Sequence, residues 1–305
     1  MVTDHRTWME KIRQHGNKPE DWLDFLRFMQ QRTNYTGLKR CNFLSPLFEK
    51  ALKVYKVLDT SNFAILALKV VKLDDTKEQI IEGFKNEISL LKRLQYCPRV
   101  IQLHDFEIRD EEKRIYILME SGELDLDRHI KNLIQQEGKL SPIDVKYHWR
   151  SMLQAVAALH KEGIIHSDLK PSNFLLINGQ LKLIDFGIAK TIQQDKTSIV
   201  TDCQVGTLNY MSPETIQENI GLTESGGKAV FKIGVKSDVW SLGCILYNMV
   251  YGYTPFQKIA RQFAKFLAIT DPNHVIQFPD IPDKSVLDVM KVKLLLKQIC
   301  CFQIS

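Results

Sequence analysis

No stretch of this 305-residue sequence is apolar for long enough to cross a bilayer. The longest nearly apolar run, Val239 to Val250, is interrupted by Ser241 and Asn248, so no membrane anchor is expected. Met1 to Arg13 carries Asp4, Arg6, Glu10, Lys11 and Arg13 where a secretory leader would need an apolar core, and a signal peptide is not expected either. The six cysteines, Cys41, Cys97, Cys203, Cys244, Cys300 and Cys301, form no C-x-x-C pair and have no histidine at ligand spacing. That excludes the common zinc motifs and reads as buried thiols in a reducing compartment. The net charge of +5, from 41 basic against 36 acidic residues, is dispersed, with no basic block of the kind that marks a nucleic-acid tail. Gly226-Gly227-Lys228 lacks the glycine spacing, the following Ser or Thr and the preceding strand of a phosphate loop. No repeat period emerges.

What is present is enough apolar residue, 44%, to bury one large core or two lobes. Trp8, Met9 and Ile12, then Trp22, Leu23, Phe25, Leu26, Phe28 and Met29, recur at helical spacing around Gly16-Asn17-Lys18-Pro19, which predicts two short helices within 7–31. From Lys53 the pattern turns β-rich: K-V-Y-K-V-L, a polar turn at 59–62, then F-A-I-L-A-L-K-V-V, a hairpin of buried strands. A helix is expected over about 77–94, with Ile80, Ile81, Phe84, Ile88, Leu91 and Leu94 on one face. Strands are expected at 100–108 and 114–119. A long helix over 142–161 should turn Trp149, Met152, Leu153, Val156 and Leu159 inward and stop at Gly163. The glycine-bearing stretch 217–236 reads as a surface loop.

The strongest chemical signal is I-I-H-S-D-L-K-P-S-N-F-L-L, residues 164–176, followed by K-L-I-D-F-G, residues 182–187. Phosphoryl transfer needs a carboxylate to orient the attacking hydroxyl, a cation beside the transferred group, and oxygen ligands for Mg²⁺. Asp168, Lys170, Asn173 and Asp185 supply that set, with Asn173 and Asp185 as the Mg²⁺ donors. Each residue also has a structural reading on its own: Asp168 as a turn cap, Asn173 as an Asx-turn residue, D-F-G as coincidence. Their joint order and spacing argue for chemistry.

These motifs closely resemble the protein-kinase signature set over Lys53 to about Lys284. The resemblance implies an α+β, two-lobed fold, a small β-rich N-lobe and a larger helical C-lobe, with ATP and Mg²⁺ as cofactors. It places the strand lysine at Lys69 and its helix partner at Glu87, which a surface ion pair would also explain. It makes Met119, Glu120, Ser121 and Gly122 the hinge, with Met119 as gatekeeper. Val205-Gly206-Thr207 and Met211-Ser212-Pro213-Glu214 match the end of an activation segment, with Thr207 at the substrate site and Thr197, Ser198 and Thr201 as candidate phosphorylation sites. Asp238 in D-V-W-S-L-G matches the residue that braces the catalytic loop. Lys170 and Thr207 resemble serine/threonine kinases.

A narrower likeness lies in H-S-D-L-K-P-S-N-F, T-S-I-V-T-D-C-Q-V-G-T-L-N-Y-M-S-P-E and D-P-N-H-V-I-Q-F-P-D-I-P. These resemble the monopolar-spindle (TTK-type) dual-specificity kinases, which implies spindle-checkpoint signalling. By that resemblance the partners are protein substrates, kinetochore proteins among them, with autophosphorylation in trans. The setting is cytoplasm and nucleus, at kinetochore or spindle. N-K-P-E-D-W-L-D-F-L resembles the family's tetratricopeptide-like start.

The expected organisation is a tetratricopeptide-like stub (1–50), N-lobe and hinge (51–122), C-lobe (123–284) and an atypical tail (285–305). Cys41 to Leu52 holds no glycine where a kinase carries G-x-G-x-x-G, so the first strand and phosphate lid are expected to be missing and ATP binding weakened. K-V-K-L-L-L-K-Q-I-C-C-F-Q-I-S stands where the family's late helices belong, together with an arginine expected to pair with Glu214; these helices are expected to be truncated. Ser167 replaces the usual arginine before Asp168, as in the narrower family. Two other readings stay open: a catalytically weak or inactive kinase-like module, and a tetratricopeptide-type adaptor resting on residues 8–29.

Overall fold

Backbone pairing needs no glycine, and the segment 41–49 pairs. The computed structural model describes residues 41–49, 52–59, 62–73, 78–111, 113–186, 207–220 and 234–300. In it β1 (Cys41–Glu49) runs antiparallel to β2 (Leu52–Asp59), with Cys41 opposite Asp59 and Glu49 opposite Lys53. This corrects the expectation that the first strand is missing. β1 is an edge strand with register shifts between Phe43 and Ser45 and between Pro46 and Phe48. Bulges and an edge position are where a proline without an N–H is tolerated.

β2 turns into β3 (Ile65–Lys72), and the turn is held by an Asx-type bond in which Ala64 N–H donates to Asn62 Oδ1 at 2.9 Å. With β4 (Leu103–Arg109) and β5 (Arg114–Glu120) these strands form one sheet in the order β1-β2-β3-β5-β4. Between β3 and β4 lies α1 (Glu78–Arg93), whose Phe84, Glu87, Ile88, Leu90 and Leu91 are buried. Their spacing is the expected helical stripe with Glu87 set into it.

The second lobe opens with β6 (Leu124–Asp125) and α2 (Leu126–Glu137), capped by the Asp125 carboxylate, which accepts from Arg128 N–H at 2.9 Å. α3 (Pro142–Lys161) starts on Ser141, whose hydroxyl accepts from Asp144 N–H at 3.1 Å, with proline at its first turn. It ends before Gly163, which has a φ of 74°. Met152, Val156 and Leu159 face inward as expected, but Leu153 is exposed, and Ala155 takes the inward position one turn from Met152. β7 (Phe174–Ile177) and β8 (Gln180–Leu183) complete a small sheet with β6.

α4 (Pro213–Ile220), α5 (Val235–Tyr251), α6 (Gln262–Thr270) and α7 (Lys284–Cys300) follow. Residues 217–220 thus end α4 rather than opening the expected loop. Twelve of the seventeen residues of α5 are buried, including every one from Trp240 to Met249. The expected tail begins as α7, whose Leu287, Met290 and Leu294 are core residues. A Cβ on Gly243 of α5 would lie 3.1 Å from Leu294 and Lys293. The apolar run that suggested a missing end therefore packs on the central helix. Among the described residues no helix is long and apolar enough to cross a membrane. The two helices expected within 7–31 lie outside the described residues.

One buried polar group makes the lobe pH-sensitive. His148 of α3 is 4% exposed and meets the His129 ring edge-on at 5.2 Å between centroids. Burial, with His129 beside it and Asp144 opposing, pushes its pKa from the usual 6.5 down to about 4. The unfolded chain then holds an extra proton between those values, so this contribution is present above the unfolded pKa and lost as pH falls. Stability should drop by about 3 kcal/mol between pH 7 and pH 4 from this group. His148→Phe should flatten that part of the pH dependence in urea unfolding, and an unchanged profile would refute the assignment.

Candidate active site

The site is assembled where the two lobes meet. β2 and β3 pair Val54 with Lys69, and β3 and β5 pair Ala67 with Met119. Because side chains alternate along a strand, Ala67 and Lys69 share the sheet face that α1 covers. Lys69 Nζ lies 3.1 Å from Glu87 Oε1, so the strand lysine and helix glutamate come together as expected. Burial alone would lower the Lys69 pKa, but Glu87 and then Asp185 more than offset it, and the ammonium is held above its ordinary range. Asp185 therefore stands close enough to act on Lys69.

The turn that carries Asp168 is built from main-chain bonds around two buried side chains. Asp238, on α5, is wholly buried and its carboxylate accepts from His166 N–H at 2.9 Å and from Ser167 N–H at 2.8 Å, while His160 Nε2 lies 2.8 Å away. Ser167 sits at φ 61°, a left-handed conformation that the Asp238 contact holds in place. His166 Nδ1 accepts from Asp168 N–H at 3.3 Å and Nε2 lies 2.6 Å from the Asp185 carbonyl oxygen. A carbonyl can only accept, so the ring proton is on Nε2. One imidazole thus ties the main chain of Asp168 to that of Asp185.

Lys170 Nζ lies 3.4 Å from Asp168 Oδ2. Asn173 Oδ1 accepts from Lys170 N–H at 3.1 Å, the Asn173 N–H donates back to the Lys170 carbonyl at 3.0 Å, and Ile184 N–H donates to the Asn173 carbonyl at 2.9 Å. Asp168, Lys170, Asn173 and Asp185 are thereby fixed on one scaffold. Phe186 is in the core.

At the expected hinge, Met119 is buried near the end of β5. The Glu120 carboxylate is committed to Lys182 Nζ, at 2.7 and 2.8 Å, and to Gln102 N–H at 2.7 Å. Ser121 Oγ is buried without a hydrogen-bond partner among the described residues. Gly122 is required by close approach, since a Cβ there would lie 2.2 Å from Leu175 of β7. Leu175, Lys182 and Val54 were not singled out from sequence. Single apolar or basic residues on short strands carry no pattern, and only strand pairing shows what they face.

A cavity of ≈ 360 Å³ opens beside Lys170, lined also by Asp127, Lys131, Asn209, Tyr210 and Thr254. Thr207 begins the 3₁₀ turn to Tyr210, but its side chain lies outside the described residues, as do Thr197, Ser198 and Thr201. Glu214 Oε1 accepts from the Ser237 hydroxyl at 2.7 Å. Among the described residues no three His, Cys, Asp or Glu cluster as a metal site.

The fold and this arrangement define a protein kinase: the protein kinase domain model matches residues 50–304, and the chain belongs to that family. Within it, the chain is 53% identical over 240 residues to the dual specificity protein kinase Ttk of Danio rerio, covering 78% of this chain and 23% of that protein. It is 47% identical over 240 residues to the dual specificity protein kinase TTK of Mus musculus, covering 78% and 27% respectively. With the serine/threonine-protein kinase MPS1 of Saccharomyces cerevisiae it shares 40% identity over 257 residues, 79% of this chain and 32% of that protein. The chain thus spans about a quarter to a third of the length of these relatives. Protein kinases use ATP and Mg²⁺ and act on protein substrates.

If Lys69 and Glu87 act as a pair, Lys69→Met and Glu87→Gln should each weaken ATP binding, and the double variant should lose less than the sum. A coupling of about 1–2 kcal/mol is expected for a buried contact. Nucleotide titration of the four chains measures it, and additive losses would show the two residues acting separately.

Proposed function

We propose that this chain transfers the ATP γ-phosphoryl group to Ser and Thr hydroxyls of proteins, with Tyr as a further acceptor, in spindle-checkpoint signalling. The observation that carries the chemistry is the single scaffold of Asp238 and His166 that fixes Asp168, Lys170, Asn173 and Asp185 opposite the Lys69–Glu87 pair. Asp168 orients the attacking hydroxyl and takes its proton. Lys170, within reach of Asp168, balances charge at the transferred group. Lys69, kept protonated by Glu87 and Asp185, holds the phosphates. Asn173 and Asp185 would hold Mg²⁺, which when bound neutralises phosphate charge. The hinge main chain at 119–122 receives the adenine between Val54 and Ala67 on one side and Leu175 on the other. The cavity beside Lys170 lies where a peptide carrying the acceptor hydroxyl would run.

Radiolabel transfer from ATP to a basic protein tests the reading, and nucleotide binding without transfer would make the chain an interaction module. Cys41 to Leu52 holds no glycine where the resemblance puts the phosphate lid, so ATP affinity should be lower than in a variant carrying G-x-G-x-x-G there. The checkpoint role rests on the resemblance to TTK-type kinases, and a tagged chain should gather at kinetochores in mitosis. Autophosphorylation at Thr197, Ser198 and Thr201 is expected, adding roughly two negative charges per phosphate. Mass spectrometry should find it in the wild type and not in Asp168→Asn, whereas phosphate persisting in that variant would point to a second kinase.

A further inference from the structure

Helix α6 buries one charged side chain on its inward side. Lys265, Phe266 and Ile269 are its buried residues, while Phe263 and Leu267 are exposed. Lys265 is only 5% exposed, and burial holds its pKa below the usual lysine range. An apolar residue at this place would avoid the cost of taking an ammonium out of water. What the charge gains there is a hydrogen bond, in which Lys265 Nζ donates to Asn209 Oδ1 at 2.6 Å.

That contact sets an orientation as well as a distance. A lysine ammonium can only donate, so the Asn209 atom it meets is the oxygen, and the amide NH₂ is turned away from Lys265. The main chain around Asn209 is held from another side. Leu208 is buried, Met211 N–H donates to the Leu208 carbonyl at 3.3 Å, and the Ser241 hydroxyl of α5 donates to the Tyr210 carbonyl at 2.8 Å. The backbone of this turn is thus tied to α5 and the Asn209 oxygen to α6. Asn209 and Tyr210 line the ≈ 360 Å³ cavity beside Lys170, together with Pro171 and Ser172.

We infer that Lys265 is a positioning residue for the acceptor peptide: it holds Asn209 so that the amide NH₂ donates to an oxygen of the peptide bound in this cavity. The inference rests on the kinase reading above, in which the acceptor segment runs past Lys170. Every residue of a peptide offers a main-chain oxygen, so one donor fixed in the cavity wall serves acceptors of differing sequence. An unrestrained asparagine would have to be ordered as the peptide binds, and holding it beforehand removes that cost. Lys265 acts through Asn209 rather than on the reacting groups. Its effect therefore falls on peptide affinity and leaves transfer within the bound complex unchanged.

The probe is a synthetic peptide of residues 192–202, which carries Thr197, Ser198 and Thr201. Its KM and kcat are measured with the full chain, and its dissociation constant by fluorescence anisotropy. Lys265→Met and Asn209→Ala should each raise KM and the dissociation constant about 3–10-fold, the scale of one hydrogen bond, with kcat and the KM for ATP little changed. The double variant should lose no more than the larger single loss. Should Lys265→Met fail to fold, Asn209→Asp decides it. The carboxylate keeps an acceptor for Lys265 but has no NH₂, so thermal stability should hold while peptide affinity falls, at high salt as well, where charge repulsion is screened. Unchanged peptide affinity in Asn209→Ala or Asn209→Asp, additive losses, or a loss in kcat alone would overturn the inference. A wild-type chain that binds the peptide without transfer would sink the kinase reading, and the dissociation constants would still decide this one. A wild-type chain that does not bind the peptide would overturn the inference, while transfer to a basic protein tests the kinase reading separately.

Discussion

Asp168→Asn and Asp185→Asn should each reduce phosphoryl transfer by about 10²–10⁴-fold or more, the scale of a lost acid–base or charge-stabilising group. Thermal unfolding should barely move. The reason is in the bonding: His166 holds these two residues through the Asp168 N–H and the Asp185 carbonyl, both main-chain groups that a side-chain amide leaves in place. The Asp168 side chain is 22% exposed, so the new amide can meet water. Asp185→Asn has a second consequence, since it removes one of the two carboxylates that keep Lys69 protonated, and phosphate affinity should fall along with turnover. Single-turnover transfer from ATP, beside nucleotide titration, separates the two effects. Near-wild-type turnover in either variant would remove the assignment.

Asp238→Asn should behave in the opposite way, losing stability and activity together. Its carboxylate is wholly buried and engages two main-chain N–H groups and the His160 ring. An asparagine keeps one acceptor oxygen but turns an NH₂ toward a donor, leaving a buried N–H without a partner. Hydrogen bonds to a charged group contribute about 1.5–3 kcal/mol each, so a loss of about 3 kcal/mol or more is expected in urea unfolding. Ser167 would then be free to leave its left-handed conformation, and the turn carrying Asp168 would relax with it. Wild-type stability with lost activity would mean that Asp238 acts on the substrate rather than on the scaffold.

Sequence order alone determined the class and most of the chemistry. The hairpin of Lys69, the helix of Glu87, the turn of Asp168 and Asn173 and the D-F-G of Asp185 are local patterns, and each formed the element its spacing predicted. The 142–161 helix was legible in the same way, because its apolar spacing and the glycine that ends it act within a few residues. Tertiary structure decided what depends on distant partners. Residues 41–49 looked like a lost strand because they lack the expected glycines, yet pairing with β2 is a backbone matter and gave the sheet its edge. The run after Lys284 looked like an unrelated tail, yet its apolar residues fill the side of α5 where Gly243 leaves room. The commitment of Glu120 to Lys182, the approach of Leu175 to Gly122 and the hold of Lys265 on Asn209 are likewise invisible in sequence. Each joins residues tens of positions apart, and only the folded chain brings such side chains within van der Waals or hydrogen-bond range.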